Sequence, residues 1–367
     1  MRETIEIDGV YVKRLYEGLF KSDMIPQSYE KIYDLLGSDG VRKQIKTILD
    51  SEEIWIKPNL GNARPPETGC ISHPTTVKAL IDCLIDVFNF KKPIRICETI
   101  SYHKGSGITE ILAKLPPKER VEIENKLKSK DPSQDIHDFG FELLLELSGI
   151  QKLVKDYQNK GLDVDILNLS KEPVMTVEER KELIDEIEQV LGKELIPLEN
   201  IRKKLRENIP RVLKEKKIGL ISLAVPKTHD DPGEYITAAM KNIALGMHPK
   251  YKAFMHKDIA KATVYHYLLW KKGCEDRVFG IVSGPYGMDG EGPIFGRAAD
   301  FPYIIAGSDL LKVDCATAVL MFGKIDLINK LNLFKYAQNK VGQIPSVKEL
   351  EKLVPYALTY QPYPYKR

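Results

Sequence analysis

Short, almost wholly apolar runs alternate along the chain with longer segments in which apolar residues recur every three or four positions. The apolar runs fall at residues 54–56, 94–97, 218–225, 278–282 and 303–305, and each leads into a loop marked by glycine, proline or polar residues. Near-continuous apolar strands separated by helices are typical of a parallel sheet covered on both faces. The pattern therefore predicts an α/β fold with a mostly parallel, doubly wound (Rossmann-like) sheet.

Residues 111–217 interrupt this alternation. Of these 107 residues 43 are charged, against 29% of the whole chain, and the segment holds only 4 of the 25 glycines. Its apolar residues stand three and four apart, as in the amphipathic helix expected at 178–191, which Gly192 would end. We therefore expect an α/β body formed by residues 1–110 and 218–367, and a mainly helical charged insertion at 111–217 that contributes at most one strand, near 164–168.

The overall charge and hydropathy limit the partners of the protein. A net charge of +3 argues against a strongly basic nucleic-acid-binding protein. No apolar run approaches the ~20 residues that a membrane-spanning helix needs. Residues 1–6 carry acids where a secretory signal has a basic stretch. The expectation is a cytoplasmic protein without nucleic-acid or membrane partners.

The cysteine pattern limits the cofactors. The five cysteines are scattered, and no two of them form a C-x-x-C pair. A local zinc site or a four-cysteine iron–sulfur cluster is therefore not expected. Instead, the apolar neighbours of these residues predict small buried side chains in a reducing compartment: Cys70, Cys83, Cys97, Cys274 and Cys315.

Polar residues with chemical potential follow the predicted strands one after another. Because the carboxyl ends of parallel strands meet at one edge of a sheet, these residues are expected to converge there although they are spread over the chain. We interpret three of them as catalytic: Lys57, Lys227 and His229. The expected ligand-binding residues are Asn59, His73, Glu98, Thr99, Thr237, Lys241, Asn242, Gly290, Gly292 and Asp309.

Lysines and helix starts at this edge indicate an anionic ligand. Pro74 follows His73 at the start of a predicted helix, where exposed backbone N–H groups and the helix dipole favour anions. Thr237 and Lys241 stand four residues apart in the helix expected after His229, and hence on one face of it. The predicted partner is thus a small carboxylate or phosphate.

Residues 284–296 form a loop with five glycines. It matches neither a Walker A loop nor the Rossmann fingerprint, because the required spacing is missing. Such a loop lets backbone amides approach a ligand, so we expect it to close beside Lys227 and His229. Asp289 and Glu291, with His256 as a further ligand, are candidates for a divalent metal site. The alternative is a tight surface turn with two solvated acids.

An ordered series of motifs resembles the domain of unknown function 362 family. The motifs are Ile56-Lys-Pro-Asn-Leu60, His73-Pro74, Pro226-Lys-Thr-His229, Thr237 with Lys241-Asn242 and Gly246, Gly287-Met-Asp-Gly-Glu-Gly-Pro293 with Gly296, and Gly307, Asp309 and Asp314. The resemblance spans about residues 54–325 apart from the insertion, and it implies functional positions at Lys57, Asn59, Lys227, His229, Lys241, Asn242, Glu291 and Asp314. Many relatives also carry a ferredoxin-like cysteine cluster, which this chain lacks.

Three functions remain open at the level of sequence. The first is an enzyme that acts on a small anionic metabolite by Lys/His acid–base chemistry, with a divalent metal ion as an option. The second is a non-catalytic binding or carrier protein for an anionic ligand or cofactor. The third, by analogy with the iron–sulfur relatives, is a redox-linked protein. Lysines, a histidine and acids on one edge exceed what passive anion binding requires, which favours the enzyme.

Overall fold

A computed structural model describes residues 4–61, 64–99, 116–129, 131, 133, 136–192, 209–229, 236–244 and 258–361. Its strands are β1 (Ile5–Ile7), β2 (Val10–Arg14), β3 (Glu53–Pro58), β4 (Ile94–Glu98), β5 (Val164–Asn168), β6 (Ile218–Ala224), β7 (Lys227–Thr228), β8 (Ile236–Thr237), β9 (Val278–Ser283), β10 (Tyr286–Asp289), β11 (Arg297–Asp300) and β12 (Tyr303–Gly307).

The α-helices complete the element order. They are α1 (Ile25–Leu36), α2 (Asp39–Leu49), α3 (Pro74–Asp82), α4 (Pro117–Lys128), α5 (Ile136–Leu147), α6 (Ile150–Gln158), α7 (Val177–Leu191), α8 (Val212–Glu215), α9 (Ala239–Ala244), α10 (Ile259–Gly273), α11 (Leu310–Phe322), α12 (Asn332–Ala337) and α13 (Val347–Glu351). In the part of the chain that the structure describes, none of them combines the length and the apolar character needed to cross a membrane.

The main sheet has eight strands in the order β1-β2-β12-β9-β6-β3-β4-β5. The strands β9, β6, β3, β4 and β5 run parallel to one another, which confirms the predicted mostly parallel α/β sheet. The strand predicted at 303–305 is also present, as β12, but it pairs antiparallel with β9 and with β2. Its carboxyl end therefore lies at the opposite edge of the sheet.

Helices cover both faces of this sheet, as the apolar strands predicted. Along β3, Ile54 and Ile56 pack into a core with α1, α2 and α3, whereas Trp55 points to a second core with α10 and α11. The side chains of a strand alternate between the two faces, so a strand that is apolar at successive positions can be buried only between two layers.

Helix boundaries follow local signals in the sequence. Thr176 and Glu179 form a reciprocal capping box at the start of α7, and Gly192, with φ of 69°, ends that helix as predicted. Helix α3 begins at Pro74, with the His73 side chain accepting a hydrogen bond from the Thr75 N–H. A π-helical turn, Cys83–Val87, continues α3.

The charged segment contributes to the main sheet at its edge. Strand β5 pairs in parallel with β4 and is the last strand in the order. Val154 of α6 belongs to one core, and Ile187 of α7 belongs to the other. The segment thus supplies one strand of the main sheet, in agreement with the single strand expected near residues 164–168. The division into body and insertion stays a prediction.

All five cysteines are buried and unpaired, as their apolar neighbours predicted. Cys97, for example, lies in β4 with its thiol directed at the carbonyl of Ile56 in the neighbouring strand, at 3.4 Å. Cysteine serves here as a small residue that fits close to the sheet.

A second, four-stranded sheet stands on the carboxyl edge of the first, in the order β11-β10-β7-β8. Strand β7 continues the chain two residues after β6 ends, and β10 likewise follows β9. The small sheet packs closely on the loop after β3. A Cβ atom on Gly69, whose φ is +68°, would lie 1.9 Å from the carbonyl oxygen of Gly287, so a side chain at this position has no room.

Candidate functional site

The parallel strands bring the predicted edge residues together. Lys57 is the penultimate residue of β3 and Glu98 ends β4, while Lys227 begins β7 shortly beyond β6. The strands β6, β3 and β4 are neighbours in the sheet. Three groups separated by up to 170 positions in sequence therefore lie at one edge, as expected from the strand pattern.

Lys57 and Glu98 form a buried ion pair. The Lys57 Nζ lies 2.8 Å from Glu98 Oε2, and 1% of each side chain is exposed. Glu98 also accepts hydrogen bonds from the backbone N–H groups of Leu60 (3.0 Å) and Thr99 (2.8 Å), and Lys57 donates to the carbonyl of Pro58 at 2.6 Å. A buried pair needs such additional bonds to offset its desolvation. The charge of Lys57 is therefore balanced inside the protein, and the pair connects the end of β4 to the loop after β3.

Lys227 has a different environment, since its hydrogen-bond partners in the part of the chain that the structure describes are neutral. Its Nζ donates to Asn59 Oδ1 at 3.1 Å and to the carbonyl oxygen of Cys70 at 2.9 Å, and 3% of the residue is exposed. Among the residues that the structure describes, no carboxylate lies within ion-pair distance of this amine. A buried ammonium without a counter-ion is costly.

The surroundings lower the pKa of Lys227 from its ordinary value. Burial is the largest cause, because it disfavours the charged form, and the positive charges of Lys57 and Arg64 act in the same direction. The Cys70 thiol and the Glu98 carboxylate act against it without reversing the direction. Lys227 thus loses its proton more readily than an exposed lysine does.

The side chain of Asn59 is oriented by its own backbone. The Asn59 N–H donates to the carbonyl of Leu223 at 3.1 Å and to Ser72 Oγ at 2.8 Å. The Ser72 N–H donates to the Asn59 carbonyl, and the Ser72 hydroxyl donates to Leu223. These bonds connect the loop after β3 to β6 and fix the oxygen that Lys227 contacts.

Helix α9 carries Asn242 into the same layer. Asn242 Nδ2 donates to the carbonyl of Lys57 at 2.7 Å and to Ser222 Oγ at 3.1 Å. Asp314 is buried and accepts hydrogen bonds from the N–H groups of Ala239 (2.7 Å) and Met240 (3.1 Å) at the start of α9. The Asn242 amide therefore braces the end of β3 against β6.

Thr237 and Lys241 meet, although not on one helix face. Thr237 lies in β8, paired with Lys227, and α9 begins only at Ala239. The prediction that this helix includes Thr237 was wrong, because the chain first adds a strand to the small sheet. The Lys241 Nζ nevertheless donates to Thr237 Oγ1 at 3.3 Å.

The two histidines of the site take different positions. His229 is buried directly after β7, two residues beyond Lys227. His73 is the N-terminal cap of α3, and its Nδ1 accepts the Thr75 N–H at 3.3 Å. Burial lowers the pKa of His73, which suits this acceptor role because a protonated ring could not accept.

Asp309 does not belong to this edge. It follows β12, which runs antiparallel to β9, and so it lies at the opposite edge of the sheet. There it caps α11, accepting the N–H groups of Leu311 (3.0 Å) and Lys312 (3.3 Å). Its expected place beside the ligand was wrong, because strand direction cannot be read from an apolar run.

The glycine-rich loop is part of a β-hairpin beside Lys227. Strand β10 pairs with β7 so that Met288 stands opposite Lys227, which confirms the expected proximity of this loop to that lysine. Gly290 has φ of 84°, and a Cβ on Gly292 would lie 2.0 Å from the carbonyl oxygen of Thr228. Closure over a ligand stays a prediction.

The two acids of this loop lie in different environments. Asp289 is buried, pairs with Arg297 at 2.6 Å, and accepts the N–H groups of Gly290 and Gln361. Glu291 is exposed. His256, the third proposed metal ligand, lies outside the described residues. Within the described ranges no group of three His, Cys, Asp or Glu side chains could hold a metal ion. Asp289 ties the hairpin together with its oxygens.

A comparison of the sequence with models of known protein families gives one match. The sequence model of a family described as a domain of unknown function (DUF362) matches residues 54–319. The chain belongs to the DUF362 family. Neither a curated protein nor a solved structure matches it. The DUF362 match begins at β3 and ends within α11, so it encloses the buried lysines, the small sheet and Asp314, while the family description assigns no activity.

Several residues that shape the site of this DUF362 member are absent from the sequence-based expectations. Ser72 and Ser222 fix Asn59 and Asn242, and the Cys70 carbonyl accepts from Lys227. Arg64 acts on Lys227 through its charge. Small hydroxyls and backbone carbonyls give no pattern in a sequence. Arg64, by contrast, is a basic residue in the loop after a predicted strand, and this position could have marked it as a candidate.

Proposed function

We propose that this DUF362 protein is an enzyme that acts on a small carboxylate or phosphate metabolite, with Lys227 as the group that takes up and returns a proton. The observation that carries the proposal is the buried Lys227 amine with two neutral hydrogen-bond acceptors. Such an amine either gives up its proton or takes an anion beside it. Both responses suit an anionic substrate that reacts at the edge of the sheet.

The lowered pKa gives Lys227 a defined role. A lysine whose pKa is lowered acts as a general base more readily than an ordinary exposed lysine does. An anionic ligand stabilises the protonated form, so binding is coupled to proton uptake. His229, buried two residues further along the chain, is the candidate for the second proton-transfer group.

Lys57 has a supporting role in this proposal. Its charge is cancelled by Glu98, and the pair holds the loop that presents Asn59 to Lys227. We therefore assign Lys57 and Glu98 as positioning residues, where the sequence suggested catalysis and ligand binding.

Proton uptake tests the proposed chemistry. Acetate, succinate, inorganic phosphate and glycerol 3-phosphate would be titrated by calorimetry in two buffers of different ionisation enthalpy. We expect net proton uptake for the compounds that bind the full chain, and none with K227M. K152M removes an exposed lysine and should behave as the unmodified protein. Equal proton uptake by K227M would contradict the role of Lys227.

A carrier protein for an anionic ligand is the second candidate. It is favoured by the internal hydrogen bonds that occupy Lys57, Asn59 and Asn242, because these leave few groups for chemistry. The two functions differ in K227R, which keeps a positive charge but cannot become neutral. Each bound compound would be incubated in D2O and followed by NMR. Conversion or C–H exchange that is lost in K227R, with binding retained, supports the enzyme; no change with any bound compound supports the carrier.

A further inference from the structure

A cavity of about 630 Å³ opens next to the small sheet. The loop after β3, the first turn of α4 and the start of β11 form its walls. Its charged lining, among the described residues, consists of three basic and three acidic side chains: Arg64, Glu67, Lys118, Glu119, Glu122 and Arg297.

Arg64 presents a fork of donors at this cavity. Only 7% of its side chain is exposed. Its Nε donates to Glu119 Oε2 at 3.0 Å and its Nη2 donates to Glu119 Oε1 at 3.3 Å, while Nη1 donates to the carbonyl of Ile294. This is the bidentate geometry by which arginine recognises a carboxylate or a phosphate.

The carboxylate that occupies this fork comes from a weakly held helix. All twelve residues of α4 are described, and Ile123 alone among them is buried. The other ion pairs of α4, such as Lys126 with Glu146, lie at the surface, where each contributes little. The Arg64–Glu119 pair is thus a main tie between α4 and the wall of the cavity.

We propose that Arg64 is a binding site for the carboxylate or phosphate group of a ligand, which displaces Glu119 and releases the first turn of α4. The charges of the described lining cancel while Glu119 is in place, and an incoming anion that replaces Glu119 restores the same balance. The fork is preformed and largely buried, so the ligand does not have to organise it. This site is distinct from the Lys227 amine, although the Arg64 charge reaches that amine.

Removing the internal competitor tests the proposal. Inorganic phosphate and succinate would be titrated into the full chain at constant ionic strength. We expect E119Q to bind at least one of them about fivefold more tightly than the unmodified protein, a gain of about 1 kcal/mol, because the carboxylate that competes for the fork is removed. E122Q is the matched control, because Glu122 lies on the same helix and lines the same cavity but pairs with Lys126. An equal gain in both variants would reduce the effect to net charge and overturn the proposal.

The Arg64 side of the site is tested by two variants. R64M should lose the binding, and R64K, which keeps the charge without the fork, should weaken it about tenfold. Unchanged affinity for the anion in a folded R64M variant would overturn the proposal. If R64M does not fold, unchanged affinity for the anion in R64K would overturn it instead. Anion binding at Arg64 does not depend on proton transfer by Lys227, so K227M should bind the anion at Arg64 as the unmodified protein does.

Hydrogen exchange of α4 gives an independent measurement. Phosphate or succinate should speed amide exchange in Pro117–Lys128 of the unmodified protein, because the ligand takes the place of Glu119. In E119Q the same amides should exchange fast from the outset, with no further effect of the anion. Slower exchange of α4 on addition of the anion would contradict the displacement of Glu119.

Discussion

The Lys57 ammonium nitrogen lies 2.8 Å from Glu98 Oε2, with 1% of each side chain exposed. The pair closes the loop after β3 through the bond from the Leu60 N–H to the same carboxylate oxygen. This loop carries Asn59, whose amide oxygen accepts a hydrogen bond from Lys227. A buried charge pair at the end of two strands therefore positions the contact on which the proposed chemistry depends.

Breaking this pair from one side should destabilise the protein strongly. K57M leaves the Glu98 carboxylate buried without its counter-ion, which costs about 3–5 kcal/mol in the free energy of unfolding. The double variant K57M/E98Q removes both charges and should recover a large part of this loss. Denaturant unfolding monitored by circular dichroism measures the losses in K57M, in E98Q and in the double variant. A loss in the double variant equal to the sum of the single losses would show that the two residues are not coupled.

The lowered pKa of Lys227 predicts a specific pH dependence of stability. Between its lowered value in the folded state and its ordinary value of 10.5, the unfolded chain binds more protons than the folded one. The free energy of unfolding contributed by this group therefore rises with pH across that window and is constant below it. K227M should show a flatter profile in the same window. Parallel profiles of the two proteins would contradict the assignment.

Two neighbouring glycines separate steric from conformational effects in the hairpin loop. G292A places a Cβ 2.0 Å from the Thr228 carbonyl, so β7 and the hairpin must move apart. G290A meets no atom within 4 Å and should cost only the strain of its positive φ, about 1–2 kcal/mol. We expect G292A to lower thermal stability more than G290A and to shift the amide signals of Lys227 and Thr228. The reverse order would argue against close packing of the loop on β7.

Two aspartates of similar local role should differ in their effect on the site. D309A removes the cap of α11 at the far edge and should cost about 0.5–2 kcal/mol, with anion binding unchanged. D314A frees the start of α9 and should impair anion binding as well, since α9 carries Asn242. Calorimetric titration of the anion that binds best, with both variants, measures the difference. Loss of binding in D309A would restore Asp309 to the site.

The sequence predicted the edge residues best where strand direction was uniform. Lys57, Glu98 and Lys227 converge because β3, β4 and β6 are parallel, which their apolar runs indicated. The predicted position of Asp309 at this edge was wrong, because β12 has the same apolar character as the parallel strands but runs in the opposite direction. Direction depends on which strand a run pairs with, and this is a property of the tertiary structure.

Pairing across the chain also determines which of the predicted charged residues are paired inside the protein. The loop acid Asp289 faces Arg297, its partner in the hairpin register, so it is neutralised within the protein. Similarly, Lys57 is neutralised by Glu98 from another strand, 41 positions away. Sequence reasoning identified these charged residues, but it could not decide which charges cancel one another and which, like that of Lys227, have neutral partners among the described residues.

The titration of the Lys227 amine tests the central claim most directly. Full-length protein labelled with ¹³C and ¹⁵N in lysine would be titrated by NMR, with the Lys227 signal assigned by its absence from K227M. We expect a Lys227 midpoint below 10.5, the ordinary value for lysine. A Lys227 midpoint at or above 10.5 in the protein without added anions would contradict the account, because the amine would then be a permanently charged structural group.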